Sequence, residues 1–185
     1  MKPGKIVYQG KSTKSGKQII FRYPTKDDLK SAWEYINMLS KEQTFINYQG
    51  EEITLEMEEK WLEGEIKKIS EEKAVQLFVY ANNKIVGISG ISMKDKAEMH
   101  IGNFGISLAK EFRGEGIGTL LMEQVLKEAG KNLKDLKIII LGVFENNPIA
   151  KKLYKNMGFV EFGNLPKGLI RKGEFIDHIY MYKEV

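Results

Sequence analysis

The residues best suited to chemistry gather in Phe104–Gly130, FGISLAKEFRGEGIGTLLMEQVLKEAG. An apolar run ending in Ile106 and Leu108 meets a charged turn, Lys110-Glu111-Phe112-Arg113. Three alternating glycines follow, Gly114, Gly116 and Gly118. Helical spacing starts at once, with Ile117, Leu120, Leu121, Val125 and Ala129 three or four residues apart. The order is therefore strand, glycine-rich turn, helix. Glycine admits φ > 0 and lets backbone N–H groups come close to a ligand. The helix N-terminus adds unpaired N–H groups and partial positive charge. This combination binds anions and suits a phosphate. Spacing excludes two familiar phosphate motifs. G-x-G-x-x-G would need glycine where Thr119 stands, and the Walker pattern would need Lys-Ser/Thr after Gly118. Gly10-Lys11-Ser12 echoes a Walker tail, but no glycine stands at Lys5 and no helical pattern follows.

What remains is Arg113-x-x-Gly116-x-Gly118, about thirty residues before a second patterned stretch, Leu141–Gly163. The first resembles the R/Q-x-x-G-x-G/A acyl-CoA signature of the GNAT N-acetyltransferase superfamily. The second is similar to the family pattern N-x-x-A-x-x-L-Y-x-x-x-G-F, with Asn147, Ala150, Leu153, Tyr154, Gly158 and Phe159 in register. The resemblance covers Met99 to Phe162. It implies an α/β fold, the GNAT fold, with a mixed, central, V-shaped sheet of about seven strands flanked by about four helices. It also implies one domain over residues 1–185, with residues 1–17 a loose N-terminal arm or a hairpin.

The same resemblance implies acetyl-CoA (coenzyme A) as cosubstrate and distributes roles. Acetyl transfer needs the thioester held, its carbonyl polarised, the ammonium deprotonated and the leaving thiolate protonated. Backbone N–H groups along Ile106, Ser107 and Leu108 would meet the acyl and pantetheine end. Gly114, Glu115, Gly116, Ile117 and Gly118 would give backbone donors to the pyrophosphate, with Arg113 adding charge and Thr119 a hydroxyl. Tyr154 would protonate the thiolate. By helical spacing alone it belongs to a core face with Ala150, Leu153 and Met157. Asn147 caps the helix that starts at Pro148, and the resemblance adds a pantetheine contact. The base stays open between Glu98 and His100, alternate positions on one strand face, and a water chain or backbone carbonyl. His178, in the last strand, reads as structural. No His/Asp/Glu spacing suggests a metal.

The bulk properties agree. The 185 residues suffice for one sizeable core, and 42% hydrophobic content is ordinary for a globular chain. The net charge of +4, from 29 basic and 25 acidic residues, suits a ligand such as coenzyme A with about four negative charges. No basic stripe interleaved with aromatics suggests specific nucleic-acid binding. There is no cysteine and hence no thiolate chemistry or disulfide. No apolar run reaches the ~18 residues of a membrane span, so a cytoplasmic setting is expected.

The positioning elements follow in order. Two short strands, Lys5–Tyr8 and Gln18–Tyr23, precede a helix started by Thr25 and Asp28, with Leu29, Ala32, Trp33, Ile36 and Leu39 inward. The loop Thr44–Glu52 leads to a helix capped by Thr54, with Met57, Trp61, Ile66 and Ile69 as its buried face. Val75–Tyr80 and Ile85–Ser92 form a hairpin around Asn82-Asn83-Lys84. Glu98–Leu108 reads as one strand, with Gly102 and Gly105 marking a bulge or a close approach. Ile138–Val143 reads as a buried strand parallel to it. A helix from Pro148 to Gly158, a strand Phe159–Phe162 and a last strand Phe175–Tyr182 complete the chain.

The resulting expectation is an acetyl-CoA-dependent N-acetyltransferase acting by direct transfer to a primary amine. A small amine or amino acid is the first acceptor class. The pattern His100-x-Gly-x-Phe-Gly-Ile and the ending Gly173-Glu-Phe-Ile-Asp177-x-x-Tyr-Met are similar to the branch acetylating amino acids and protein N-termini. Its pocket is expected between the Phe45–Glu52 loop, the Glu98/His100 strand face and the Lys167–Phe175 turn, with Glu51 and Glu52 attracting the cationic amine. A protein N-terminus (ribosomal-protein-alanine-like) is the alternative acceptor. A non-catalytic acyl-CoA sensor and a basic nucleic-acid module are rival classes. A homodimer is left open.

Overall fold

The computed structural model describes residues 1–185. Its strands are β1 (Ile6–Lys11), β2 (Gln18–Arg22), β3 (Ala74–Ala81), β4 (Lys84–Met93), β5 (Ile101–Leu108), β6 (Ile138–Phe144), β7 (Val160–Arg171) and β8 (Glu174–Glu184). Its helices are α1 (Leu29–Glu42), α2 (Leu55–Ser70), α3 (Ile117–Asn132) and α4 (Pro148–Asn156). One mixed sheet of eight strands holds them in the order β1-β2-β3-β4-β5-β6-β8-β7. This is the expected α/β architecture with slightly more strands. Every neighbouring pair is antiparallel except β5 and β6.

That single parallel pair opens the sheet. β5 and β6 share three register pairs, Ile101–Ile138, Gly102–Ile139 and Asn103–Ile140. Beyond them β5 continues to Leu108 beside β4, and β6 to Phe144 beside β8. The two strands diverge into the V that the sequence resemblance implies. Side-chain alternation assigns the faces. Ser107 bonds to Tyr35 of α1, whereas Phe104 meets Tyr154 of α4 and Leu108 approaches Gly118 of α3. So α1 lies on one face of β5, and α3 and α4 on the other. β3 is buried along almost its whole length, as a strand covered on both faces must be.

Local chemistry explains most boundaries. Asn82 and Asn83 both have positive φ, the conformation of a tight hairpin turn that suits Asn. Asp28 accepts the Thr25 N–H at 2.7 Å, which fixes the entry to α1, and also takes the Arg22 guanidinium and the Tyr80 hydroxyl. Asn147 accepts the Ala150 N–H at 3.2 Å, with Pro148 as the first helical residue. β1 and β2 form a hairpin rather than a loose arm, and its turn is held from outside the sheet.

Four expectations change. The strand expected from Glu98 starts only at Ile101, because Lys96–Glu98 form a 3-10 turn with Lys96 at positive φ. β5 pairs with β4 without a register shift, so of the two readings of its glycines the bulge is absent and the close approach holds, at Gly102. The buried face of α2 is Glu58, Leu62, Glu65 and Ile69, while Met57 and Trp61 are 50% and 38% exposed. The strand expected at Phe159–Phe162 runs on to Arg171. It absorbs Pro166 in a register irregularity, where the Asp177 carboxylate accepts the Lys167 N–H at 2.9 Å.

The glycines of β5 test this register. A Cβ on Gly102 would lie 2.5 Å from Ile91 Cγ2, whereas one on Gly105 meets nothing within 4 Å. Gly102→Ala should destabilise by about 1–3 kcal/mol, as overpacking does, and Gly105→Ala by under about 0.5 kcal/mol. Urea unfolding midpoints decide; equal losses would contradict the register.

Candidate active site

A cleft of about 740 Å³ fills the mouth of the V. Its walls are Ile106, Ser107 and Leu108 on one arm and Gly142, Val143 and Phe144 on the other. Backbone polarity in β5 follows from its pairing. Ala109 N–H donates to the Val86 carbonyl at 2.8 Å, and Lys94 N–H to the Ile101 carbonyl at 2.8 Å. The odd-numbered residues of β5 therefore bond to β4. The even-numbered Ile106 and Leu108 turn their N–H groups into the gap that β6 has left. The sequence reading set backbone N–H groups along Ile106, Ser107 and Leu108. The register keeps Ile106 and Leu108 but not Ser107, whose N–H faces β4 and whose hydroxyl lies 2.9 Å from the Tyr35 oxygen.

The glycine turn Gly114–Gly118 closes one end. Gly114 and Gly116 take φ of 73° and 77°, left-handed values that favour glycine, and α3 begins at Ile117. Gly114, Gly116, Gly118 and Thr119 border the cleft. Ile117 points its side chain into the core, and Glu115 turns away to the β1–β2 turn. There the Glu115 carboxylate accepts the Ser15 N–H at 2.9 Å, and its carbonyl accepts the Thr13 N–H and hydroxyl at 3.0 and 2.8 Å. These contacts hold the Glu115 carboxyl below the usual carboxylate range, the Ser15 backbone bond first. Thr13 and Lys14 thereby join the cleft wall. Sequence spacing gave no sign of that contact, which spans about a hundred residues.

Arg113 also borders the cleft, but its guanidinium is engaged. It makes a two-pronged pair with Glu42 at the end of α1, one bond at 2.9 Å, and its Nε donates to the Leu108 carbonyl at 2.9 Å. Arg113 therefore braces the turn against α1 and β5. The Arg113 hydrogen bonds push the Glu42 carboxyl below its ordinary pKa, ahead of the opposing effect of burial.

Tyr154 belongs to both environments that the sequence weighed. Its ring packs edge-on against Phe104 at 6.1 Å and near Phe159 at 6.2 Å, and the residue is 6% exposed. It also lines the cleft beside Asn147, Ala150 and Leu153. Burial raises its phenol to about 12, so it stays protonated at neutral pH.

Glu98 and His100 stand elsewhere. They precede β5 at its closed end, where the His100 carbonyl accepts N–H groups from Lys137 and Ile138. Seven residues of strand at about 3.3 Å each put His100 roughly 20 Å from Ser107. Glu98 is paired with Lys94 at 2.8 Å. Neither lines the cleft, and the expected shared strand face does not exist. Glu51 curls onto its own loop, accepting the Gln49 N–H. The loop faces the cleft through Thr44, Phe45, Ile46 and Asn47 instead. From the β7–β8 hairpin come Leu169 and His178, the latter read as structural from sequence. No cluster of three His, Asp or Glu is arranged for a metal ion, and no helix is long and apolar enough to cross a membrane.

The cradle fits an acyl-CoA. Two backbone donors face the gap, a Cβ on Gly114 would meet nothing within 4 Å, and the adjoining cations are Lys14, Arg113 and Lys152. Known proteins agree. The model of the Acetyltransferase (GNAT) family matches residues 33–159, and the chain belongs to that family. The L-amino acid N-acetyltransferase AaaT of Escherichia coli (strain K12) is 30% identical over 107 residues, 57% of this chain and 65% of its own length. The chain thus spans just under two thirds of that curated relative. A GNAT-family acetyltransferase from Streptococcus pneumoniae superposes with a TM-score of 0.81 at 30% identity, over 90% of this chain and 99% of that one. YncA from Salmonella typhimurium, solved with its cofactor acetyl-CoA, shares the fold at a TM-score of 0.77 and 15% identity, over 90% and 93% of the two chains.

The Arg113–Glu42 brace has a pH signature. A depressed folded pKa contributes stability above the unfolded carboxylate value, and the contribution is lost as pH falls through the folded value. Glu42→Gln should cost about 0.2–1 kcal/mol at neutral pH, the range for a partly exposed pair. The difference from wild type should vanish in acid, below the ordinary Glu range. Denaturant titrations across pH measure it; a difference unchanged in acid would contradict the brace.

Proposed function

We propose that the protein transfers the acetyl group of acetyl-CoA directly to a primary amine. The observation that carries this is the gap between β5 and β6, with the N–H groups of Ile106 and Leu108 facing it and the Gly114–Gly118 turn at its end. Acetyl-CoA supplies an activated thioester. The N–H groups of Ile106 and Leu108 hold its carbonyl and stabilise the negative charge that grows there. Gly114, Gly116 and Gly118 bring backbone N–H groups to the pyrophosphate, and the N-terminus of α3 adds its dipole. Tyr154, still protonated, gives its proton to the leaving sulfur. Asn147 both caps α4 and borders the pantetheine path.

A small amine or free amino acid is the preferred acceptor. The acceptor side of the cleft is largely apolar, formed by Phe45, Ile46, Phe144 and Leu169. The likeness to an L-amino acid N-acetyltransferase supports the same choice. The cleft walls contain no Asp or Glu, so Glu51 and Glu52 drop out as the attraction for a cationic amine.

Two measurements test the reading. Acetyl-CoA at a hundred times its Kd should add about 2.7 kcal/mol of stability, seen as a raised Tm, with NAD giving far less. Gly118→Val should abolish that rise. A Cβ there approaches only Leu108 and Leu153, at 3.5 and 3.9 Å, so a loss reports ligand clash more than misfolding. No rise in wild type would contradict the function. Tyr154→Phe should keep the rise and lower kcat by about ten- to a hundredfold, at or below the usual general-acid range, because a thiolate leaves readily. Thiol release over a panel of free amines and short peptides then decides the acceptor. Peptide acetylation beside inert free amines would overturn the small-acceptor choice.

A further inference from the structure

We propose that His178 is the base that takes the proton from the acceptor ammonium. The inference rests on the transfer reaction proposed above and names the group that reaction still lacks.

The cleft wall itself narrows the choice. It contains no carboxylate, and Lys14, Arg113 and Lys152 are cations. Tyr154 holds its proton and suits the acid role. His178 is the one remaining lining side chain able to accept a proton near neutral pH. Its placement follows from register. β8 lies antiparallel to β6 with His178 opposite Phe144 and Tyr180 opposite Gly142. The imidazole lies across Gly142, where a Cβ would come within 2.0 Å of Nε2. Gly142 thus makes room for the ring at the edge of the gap.

The face also fits. Phe144, on the same side of β6 as Gly142, meets Phe45 of the α1–α2 loop at 5.6 Å. His178 therefore shares the side of α1, whereas Tyr154 reaches the gap from the side of α4. Base and acid flank the gap from opposite faces of the sheet. That arrangement suits an amine entering on one side and a sulfur leaving on the other.

The surroundings keep His178 neutral. Burial pushes its pKa down, with no charge or side-chain hydrogen bond contributing. β6 brings only Gly142 and Phe144 to it. On β8, the Tyr180 ring lies tilted against it with centroids 4.2 Å apart, and Asp177 points the other way, held by Asn164 and the Lys167 N–H. On β7, Leu165 lies opposite His178, and Arg171 sits over the Phe45 ring at 4.0 Å. From α4 the titratable groups on the cleft wall are Lys152 and Tyr154.

The step balances without further reagents. His178 takes one proton from R–NH3⁺, and the amine lone pair forms the C–N bond at the thioester carbon. The C–S bond breaks, its electron pair stays on sulfur, and the Tyr154 proton makes the thiol. The amide nitrogen sheds its second proton, which restores the phenol, and His178 returns the first to solvent. One proton is released for each amide formed.

The test is kcat/KM against pH for wild type, His178→Gln and His178→Ala, with the best amine of the panel. In wild type the rate should fall in acid as His178 becomes protonated, below the ordinary His value of about 6.5. Both variants should keep the acetyl-CoA rise in Tm, lose about a hundredfold in rate and lose that acid limb. Added imidazole should restore part of the His178→Ala rate. Should the alanine variant not fold, the glutamine variant, closer in size, carries the same readouts. Variants that bind acetyl-CoA and keep the limb, whether at full or uniformly reduced rate, overturn the proposal. The transfer reading fails separately, on a wild-type panel with no amine acetylated.

Discussion

Three register pairs join β5 to β6, and the rest of the site depends on that contact stopping where it does. Each strand is fully paired on its other side, β5 with β4 and β6 with β8. Neither needs the other to stay in place, so the pair can part without unravelling. Parting has a cost, because backbone N–H groups turned into a protected gap lose their partners. Ile106 and Leu108 bear it. A carbonyl that enters the gap would relieve it, which is why we propose these donors as the binding determinant.

Rigid supports keep that arrangement ready. The glycine turn is tied to α1 through Arg113 and Glu42, to β5 through the Leu108 carbonyl, and to the β1–β2 turn through Glu115. Thr13 also fills the space that a side chain on Gly116 would need, with its Oγ1 2.3 Å from where a Cβ would stand. Such bracing lowers the ordering cost of binding. It also gives the N-terminal hairpin, remote in sequence, a direct hold on the ligand site. The two arms of the V then present different chemistry: backbone donors on β5, and on β6 a smooth strand edge across which the His178 ring lies.

Legibility in the sequence followed the range of the interactions. The glycine turn, the Asn147 cap with Pro148, and the Asn82-Asn83 hairpin are set by residues a few positions apart, and their spacing displayed them. The family pattern carried the V-shaped sheet. The base did not show, because His178 reaches the cleft through two antiparallel registers and the absence of a side chain at Gly142. Glu98 and His100 misled because alternation was counted from Glu98, while a 3-10 turn delays β5 to Ile101. On α2 the apolar count favoured Met57 and Trp61, yet Glu58 and Glu65 are buried there. Burial alone raises Glu58 to about 7, a polar choice that no hydrophobic pattern can reveal.

Backbone amide hydrogen exchange at β5, with and without acetyl-CoA, tests the central claim most directly. Ser107 is bonded to β4 and should be protected in both states. Ile106 and Leu108 should exchange quickly in the free protein and become protected when acetyl-CoA binds. Protection of Ile106 and Leu108 in the free protein, or exchange unchanged at saturating acetyl-CoA, would contradict the account.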